Sequence, residues 1–237
     1  MQYFGGKQRI AKFIINYLNR IRKPGQIFLE PFVGSANIII GMDNPRIGSD
    51  FHEDLIMLHK AIQSGEFIYP SEISEQQYNE LKKAESSALR ALVGFGCSYA
   101  GKWFGGYARS GQRNYCLNAV HSLQKKSKFF EGIEFCCKDY REWEPINYLL
   151  YNDPPYVNST KIHGNSFDTN EFWDIMRRWS KHNTVVISEY EAPQDFICAL
   201  ELATKTDIRG KAGKFQRIEK LFIQEDLYQN LALSDAS

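Results

Sequence analysis

The 237-residue sequence lacks several features that define large classes of protein. Its five cysteines (Cys97, Cys116, Cys136, Cys137 and Cys198) form no CxxC pair, and its five histidines lack the spacing of metal ligands. We therefore expect reduced thiols, no metal site and a cytoplasmic location. The N-terminus shows no apolar core followed by a cleavage site, so we expect no signal peptide. No apolar run approaches the roughly 20 residues that a membrane-spanning helix needs.

The chain also lacks a strong overall charge, but its charges are unevenly distributed. The net charge is +1, which by itself predicts neither a nucleic acid nor a membrane as partner. Residues 86–130 contain no Asp or Glu and carry seven Lys and Arg residues. Such a local field attracts phosphate groups even on a neutral protein. The alternative is chance clustering on a solvated surface.

The sequence lacks the complete GxGxxG motif of dinucleotide-binding proteins, although it has the expected setting. Residues 26–30 read as a strand, residues 31–37 as a tight turn and residues 38–42 as a helix, and only Gly34 fits the motif. This argues against a pyrophosphate site and is compatible with a cofactor that has no phosphate. Asp50 ends the next predicted strand, 20 residues after Glu30, where a carboxylate can accept both ribose hydroxyls or cap the following helix.

A stiff polar loop follows a third apolar strand. The run Tyr148-Leu149-Leu150-Tyr151 predicts a buried strand, and Asn152-Asp153-Pro154-Pro155-Tyr156 follows it directly. Each proline fixes its own φ and lacks an amide hydrogen, so backbone carbonyls are left as acceptors. A carboxylate, such carbonyls and an aromatic face suit a flat ring that bears an amino group. An ordinary proline-rich turn is the alternative.

The remaining pattern predicts an α/β chain with an insertion. Residues 94–114 are rich in glycine and aromatic residues, with Lys102, Arg109 and Arg113 interleaved, which fits a surface that contacts a nucleic-acid backbone and displaced bases. We predict a catalytic domain of residues 1–58 and 131–237 and a DNA target-recognition insert of residues 59–130. Further helices are predicted at residues 10–21, 53–58, 70–92, 118–130 and 169–181, with strands at 133–137 and 184–188 and a late hairpin within 200–223.

Together these motifs resemble the Dam-type DNA adenine-N6 methyltransferases. Tyr3-Phe4-Gly5-Gly6-Lys7 is similar to their amino-terminal motif, and residues 29–35 are similar to their glycine loop, with Ala36 where relatives often have Gly. Asp50 falls on their ribose-binding acid. Residues 152–156 match their catalytic loop without a change, whereas residues 188–190 agree only loosely with their polar turn.

The resemblance implies a doubly wound, mostly parallel seven-stranded sheet of the Rossmann-like methyltransferase type, with one strand reversed in the late hairpin. It implies S-adenosylmethionine as methyl donor and double-stranded DNA as substrate, and it leaves open the oligomeric state (a monomer is compatible) and a cognate restriction endonuclease. The expected catalytic residues are Asp153, Pro154, Pro155 and Tyr156. The expected cofactor-binding residues are Tyr3, Lys7, Glu30, Phe32, Gly34, Asp50 and Asp153. The expected DNA-binding residues are Lys102, Arg109, Arg113, Asn114, Lys125 and Lys126.

Three alternatives remain at this point. The same chemistry could act on cytosine N4, on adenine in RNA or on a protein glutamine. A nicotinamide-dependent oxidoreductase could share the sheet, but the incomplete glycine motif and the Asp153 loop count against it. A catalytically silent DNA-binding protein is disfavoured because the residues of the predicted catalytic loop are intact.

Overall fold

The fold of this chain, taken from a computed structural model, is described over residues 6–109, 111–155, 167–206 and 215–234. Helices and strands are both present. The helices are α1 (Ala11–Ile21), α2 (Glu53–Ser64), α3 (Glu75–Lys83), α4 (Ala88–Gly96), α5 (Tyr115–Ser127), α6 (Thr169–Ser180) and α7 (Glu225–Ser234). The strands are β1 (Ile27–Glu30), β2 (Arg46–Asp50), β3 (Ile133–Cys137), β4 (Tyr148–Asn152), β5 (Thr184–Glu189), β6 (Phe196–Thr206) and β7 (Phe215–Gln224). Four of the helices, α2 to α5, stand between β2 and β3.

The strands form one seven-stranded sheet in the order β3-β2-β1-β4-β5-β7-β6. Strands β3, β2, β1, β4 and β5 pair in parallel, and β7 runs antiparallel to both of its neighbours. The predicted fold class and the reversal in the late hairpin are therefore confirmed. The chain changes direction across the sheet between β1 and β4, and open α/β sheets bind ligands in the crevice outside the carboxyl ends of the strands at such a point.

Neighbouring residues of the inner strands serve two separate layers of core. Phe28 of β1 and Leu149 of β4 belong to the cluster that packs under α1, α2, α4 and α5. The residues that follow them, Leu29 and Leu150, belong to the cluster formed with α6. Successive side chains of a strand point to opposite faces of its sheet, so these short strands are covered by helices on both sides. This double burial explains their continuous apolar sequences and holds their carboxyl ends rigidly.

Several predicted elements differ from the structure in extent, and the local capping explains two of the differences. The predicted helix at 70–92 is divided into α3 and α4, because Ser74 caps α3 and Ser87 caps α4 through hydrogen bonds to amides three residues on. Helix α5 begins earlier than predicted, at Tyr115, because the side chain of Asn114 caps it. The predicted helix after the glycine turn is only a 3₁₀ turn, Ile39–Gly41.

The predicted boundary between residues 58 and 59 falls inside α2, which continues to Ser64. Helices α4 and α5 of the predicted insert share one apolar cluster with α1, α2 and one face of the sheet. A Cβ on Gly94 of α4 would lie 2.3 Å from the ring of Trp103, so only glycine permits this close approach. The insert is thus packed on the rest of the protein through a common core. Within the described residues, no helix has the length and apolar character needed to cross a bilayer.

The aromatic residues of the insert mostly form its interior, which corrects their predicted role as a base-contacting surface. Phe95 and Phe104 are buried, and Trp103 packs against both at ring-centroid distances of 4.7 and 4.8 Å. The hydroxyl of Tyr107 donates a hydrogen bond to the carbonyl of Ile73 at 2.7 Å. The aromatic residues interleaved with the basic ones are accounted for by packing, because a long loop without regular structure needs its own core. Tyr99 differs, since it is 71% exposed.

Candidate active site

The first part of the site is the loop between β1 and β2 that the glycine motif predicts. Gly34 has a left-handed backbone conformation with φ of +45°, which favours glycine. Its amide donates to Oδ2 of Asp50 at 3.0 Å, and the amide of His52 donates to Oδ1 at 3.0 Å. Burial raises the pKa of Asp50 to about 6. A carboxylate has about four acceptor positions, so Asp50 can still accept hydrogen bonds from a ligand.

Two residues predicted to contact a cofactor lie in supporting positions around this loop. Glu30 is buried, and its Oε2 accepts a hydrogen bond from the amide of Ile39 at 2.9 Å. Burial raises the pKa of Glu30 well above its usual range. The ring of Phe32 packs against Tyr140 and Phe172 at centroid distances of 5.1 and 6.1 Å. Glu30 fixes the turn, and Phe32 joins the β1 end to the α6 side of the sheet.

The outer side of the same loop is held by two side chains from α2 and α5. His59 makes a hydrogen bond through Nε2 to the carbonyl of Gly34 at 2.8 Å. Burial lowers the pKa of His59 to about 4, so the ring is neutral at pH 7. Lys126 donates from Nζ to the carbonyl of Ser35 at 2.6 Å and to Oδ1 of Asn37 at 2.5 Å. The carbonyl oxygens of Gly34 and Ser35 and the Oδ1 of Asn37 therefore all make hydrogen bonds with side chains of α2 and α5.

This placement corrects the predicted DNA contact of Lys126. The side chain is buried, and burial lowers its pKa to about 8. Its ammonium group serves the glycine loop and is not presented to solvent. Asn114 is also committed to the fold, because its Oδ1 accepts from the amide of Leu117 and its Nδ2 donates to the carbonyl of Ser71, each at 2.9 Å. Sequence reasoning could not separate Lys126 from Lys125, its exposed neighbour on the helix.

The second part of the site is the loop that follows β4. Asp153 is the first residue after that strand, and Pro154, the next residue in the chain, is buried. Nζ of Lys7 lies 2.7 Å from Oδ1 of Asp153, although 146 residues separate them in the chain. Burial lowers the pKa of Lys7, but the charges of Asp153 and Glu219 outweigh it, so this pKa is raised overall. The predicted cofactor residue Lys7 is thus placed as the partner of the predicted catalytic carboxylate.

Two acidic residues that the sequence did not single out join this cluster. Oε1 of Glu219, on β7, lies 3.3 Å from Nζ of Lys7 and accepts a hydrogen bond from Oγ of Ser188 at 2.7 Å. Glu189, at the end of β5, is buried, and burial raises its pKa to about 7, with a further contribution from Asp153. Their signal in the sequence is weak. Glu219 lies in a predicted strand with no motif around it, and Glu189 lies in the loosely matching polar turn.

One residue of the amino-terminal motif and one of the catalytic loop have predicted ligand contacts that the structure does not describe. Tyr3 and Tyr156 lie outside the described residues, so their roles in cofactor binding and base stacking stay predictions. Asn152 is described: its Nδ2 donates to the carbonyl of Val186 at 3.3 Å. Its Oδ1 is buried and has no hydrogen-bond partner within the described ranges. The end of β4 therefore contains a buried acceptor in addition to the carboxylate of Asp153.

The remaining cations predicted to bind DNA lie on the protein surface. Arg109 is exposed and forms an ion pair with Glu75 of α3. The guanidinium of Arg113 lies 5.0 Å from the ring centroid of Tyr115. An exposed ion pair contributes little to stability, so pairing with Glu75 leaves Arg109 able to exchange that partner for a phosphate. The other exposed cations of the predicted set are Lys102 and Lys125.

The chemistry of the two loops fits S-adenosylmethionine better than a dinucleotide. The amide of Gly34, which would meet a phosphate in a dinucleotide site, donates to a carboxylate. Asp50 and Asp153 are both close enough to Glu30 for their charges to contribute to its raised pKa. This arrangement repels a pyrophosphate and suits ribose hydroxyls and a sulfonium cation. Asp50 would hold the ribose, and Gly34 would allow close approach of the cofactor to the backbone.

The strand order, the glycine loop whose Gly34 amide donates to Asp50, and the loop that follows β4 are the features of the Rossmann-like methyltransferase fold. Residues 3–89, less than half of the chain, match the family model for the D12 class N6 adenine-specific DNA methyltransferases. The match includes the amino-terminal motif, the glycine loop and Asp50. It supports the resemblance stated from the sequence over that part of the chain.

No curated protein matches the chain significantly. Among solved structures, a protein from Pyrococcus horikoshii proposed to be an RNA methyltransferase has 11% identity and a TM-score of 0.43, over 91% of this chain and 84% of that one. Magnesium protoporphyrin IX methyltransferase from Synechocystis, with bound S-adenosylmethionine, has 10% identity and a TM-score of 0.42, over 92% and 79%. An rRNA methylase from Streptococcus thermophilus has 8% identity and a TM-score of 0.38, over 90% and 94%. Likeness at this level says nothing about the substrate.

Proposed function

We propose that this protein transfers a methyl group from S-adenosylmethionine to N6 of adenine at specific sites in double-stranded DNA. The observation that carries the proposal is the placement of Asp153. Its carboxylate follows β4, is held by Lys7 at 2.7 Å, and lies across the sheet's switch point from the glycine loop that follows β1. A methyl donor on the β1 and β2 side and an amine on the β4 side would meet at this crevice.

The chemical task is to activate a weak nucleophile. The exocyclic amine of adenine is a poor nucleophile because its lone pair is delocalised into the ring. Asp153 and the carbonyl of Pro154 would each accept one N6–H bond, which favours tetrahedral geometry at the nitrogen and localises the lone pair. When bound, S-adenosylmethionine would supply an electrophilic methyl group for direct in-line transfer and would leave as S-adenosylhomocysteine. The cationic, methylated N6 would then lose one proton to the carboxylate of Asp153. Positioning and electrostatics are the main catalytic contributions. The amine is not deprotonated in advance, because N6 becomes acidic only after it carries the methyl group.

Access to N6 requires the adenine to leave the duplex. Extrusion of a base costs a few kcal/mol, and one stacking contact with an aromatic ring returns about 1–3 kcal/mol. Contacts to the DNA backbone must supply the remainder. The exposed cations of the insert, Lys102, Arg109, Arg113 and Lys125, are the proposed source of those contacts.

The proposal is tested by methylation of a long DNA with isotopically labelled S-adenosylmethionine, followed by digestion to nucleosides. The expected product is N6-methyl-2′-deoxyadenosine. Sequencing for modified adenine would give the recognised site. The variant Asp153→Ala should lose activity while it remains folded. Asp174→Asn, at an acid that is 77% exposed on α6, is the matched control and should retain activity.

The same experiment distinguishes the alternatives. Label in N4-methylcytosine, or label that appears only when RNA or protein is supplied, would replace the proposed substrate with another amine. Full activity of Asp153→Ala would contradict the proposed mechanism, even if adenine were the base that is methylated. The absence of any methylated product from DNA would contradict the proposed function itself.

A further inference from the structure

Glu219 occupies an unusual position for a charged residue. It lies on β7, the reversed strand, and its side chain is only 10% exposed. Strand β7 pairs with β5, with Leu221 opposite Ser188 and Lys220 opposite Glu189. Strand β5 in turn pairs with β4, so only β5 separates β7 from the strand that leads into the catalytic loop. The register therefore brings a buried acid from near the end of the chain to the loop that carries Asp153.

Lys7 joins this acid to the catalytic carboxylate. Nζ of Lys7 lies 2.7 Å from Oδ1 of Asp153 and 3.3 Å from Oε1 of Glu219. That same Oε1 accepts the hydroxyl hydrogen of Ser188 at 2.7 Å. The ammonium group is thus bound on two sides, and the acid behind it is itself fixed by β5.

A lysine needs such a second partner to act as a precise positioning group. Its ammonium is a compact charge on a flexible four-carbon chain, and each of its three donors can rotate. With Asp153 as partner alone, the ammonium could approach either carboxylate oxygen from several directions. An anchor on the opposite side restricts it to one direction.

We propose that Glu219 is a positioning residue for methyl transfer: it holds the ammonium group of Lys7 against Oδ1 of Asp153 and thereby fixes the rotation of the carboxylate that receives the substrate amine. This inference rests on the proposed function. It adds to that function a residue that lies outside the motifs shared with the resembling family and beyond the region matched by the family model.

A structural purpose alone explains Glu219 poorly. Burial of charged groups costs so much solvation that well-packed apolar residues often stabilise a fold equally well or better. Strand pairing between β5 and β7 uses the backbone and does not need a carboxylate at this position. A carboxylate at this position does provide a negative charge beside Lys7, which in turn contacts Asp153.

The test compares Glu219→Gln with the wild-type protein. Glutamine keeps the size of the side chain and an acceptor for Ser188, but it removes the charge that holds Lys7. The matched control is Glu201→Gln on β6, an acid that is 58% exposed and lies 3.9 Å from Lys220. The measured quantities are the single-turnover rate constant of methyl transfer at saturating cofactor and DNA, the KM for the cofactor, and the unfolding temperature.

The expected result for Glu219→Gln is a fall of about 10- to 100-fold in the rate constant, because small misplacements of catalytic groups have effects of this size. The KM for the cofactor should change less than about twofold, since Asp50 and Gly34 are untouched. Glu201→Gln should retain the wild-type rate constant. Glu219→Asp, whose shorter carboxylate can still reach toward Lys7, should recover part of the lost rate.

The pH profile supplies a readout that a merely structural role would not move. In the described part of the chain, the titratable groups around Asp153 are Lys7, Glu30, Tyr151, Glu189 and Glu219. Removal of the Glu219 charge takes away one anion that competes with Asp153 for the ammonium of Lys7, which favours the ionised form of Asp153. The acid limb of the rate profile should therefore move to lower pH in Glu219→Gln. It should move to higher pH in Lys7→Met, which removes the cation.

The outcomes separate the inference from the function on which it rests. An unchanged rate constant, or a lower rate with a lower unfolding temperature and an unmoved acid limb, would overturn the positioning role while wild-type methylation of adenine still stands. If the wild-type protein forms no N6-methyladenine in DNA, the proposed function fails and the inference fails with it.

Discussion

The two sides of the proposed reaction crevice are held by different kinds of interaction. On the β1 and β2 side, carboxylates accept hydrogen bonds from backbone amides of the same β1–β2 unit, as Asp50 does from His52, two residues away, and from Gly34, 16 residues away. On the β4, β5 and β7 side, Lys7, Asp153 and Glu219 come together from distant parts of the chain. The first arrangement depends on a local turn. The second depends on the order and register of the whole sheet.

This difference predicts which property of ligand binding or turnover each side of the crevice controls. Amide donors fixed in a turn, which His59 and Lys126 support from α2 and α5, make a preformed site whose shape depends little on the balance of charges in the crevice. A cluster of one ammonium and several carboxylates makes a site whose geometry is a balance of charges, so each member affects the others. We therefore expect changes on the first side to alter affinity, and changes on the second side to alter turnover and its dependence on pH.

The largest expected effect comes from Asp153→Ala on the charge-held side. The single-turnover rate constant should fall by about 10³-fold or more, because the acceptor for the substrate amine is removed. The dissociation constant of S-adenosylmethionine should change only a few-fold. Isothermal titration with the cofactor, beside the rate measurement, would show this. If cofactor binding fell as far as the rate did, the division of the crevice into two sides would be wrong.

Asp50→Ala should have the opposite pattern. A hydrogen bond to a charged group contributes about 1.5–3 kcal/mol, so the dissociation constant of the cofactor should rise about 10- to 100-fold. At saturating cofactor, the rate constant should stay within a few-fold of the wild-type value. Titration of the rate against cofactor concentration gives both numbers. Thermal unfolding of the variant serves as the control, because the amides of Gly34 and His52 lose their acceptor.

Lys126→Met and Lys125→Met form a matched pair on adjacent positions of α5. Loss of Lys126 removes the donor to Ser35 and Asn37 on the outer side of the glycine loop. The cofactor dissociation constant should rise about five- to tenfold, which corresponds to about 1–1.4 kcal/mol. Loss of the exposed Lys125 should leave cofactor affinity unchanged and weaken DNA binding slightly. Equal effects of the two changes on cofactor affinity would contradict the supporting role assigned to Lys126.

Arg113→Ala tests whether the surface of the insert contacts the DNA backbone. Each phosphate contact adds about 0.9 to the slope of log K against log salt concentration. The variant should bind DNA several-fold more weakly at low salt and should show a slope smaller by about that amount. Fluorescence anisotropy with a DNA duplex at four or five salt concentrations measures it. An unchanged isotherm and slope would remove Arg113 from the interface.

Sequence reasoning succeeded where information is local and failed where burial decides. The mostly parallel sheet follows from the family resemblance, and the glycine loop and the Asp153 loop each lie directly after a strand, as the short motifs predict. The roles of Asp50 and Asp153 stay predictions. Lys126 was assigned to DNA because its charge is visible in the sequence, whereas its burial against residues 35 and 37 is set by the docking of α5. Glu219 went unnoticed for the same reason, since only the register of β7 on β5 brings it to Lys7.

The smallest expected effect concerns the stability of the charge-held side, and Glu189→Gln is the variant that isolates it. Burial raises the pKa of Glu189 to about 7, above its value of 4.5 in an unfolded chain. Between these two values the folded protein binds more protons than the unfolded one, so this residue makes stability fall as pH rises through that window. The neutral glutamine removes this contribution. The unfolding temperature of the variant relative to the wild type should therefore increase by several degrees from pH 5 to pH 8. A difference that stayed constant across this range would show that Glu189 is ionised at both ends of it.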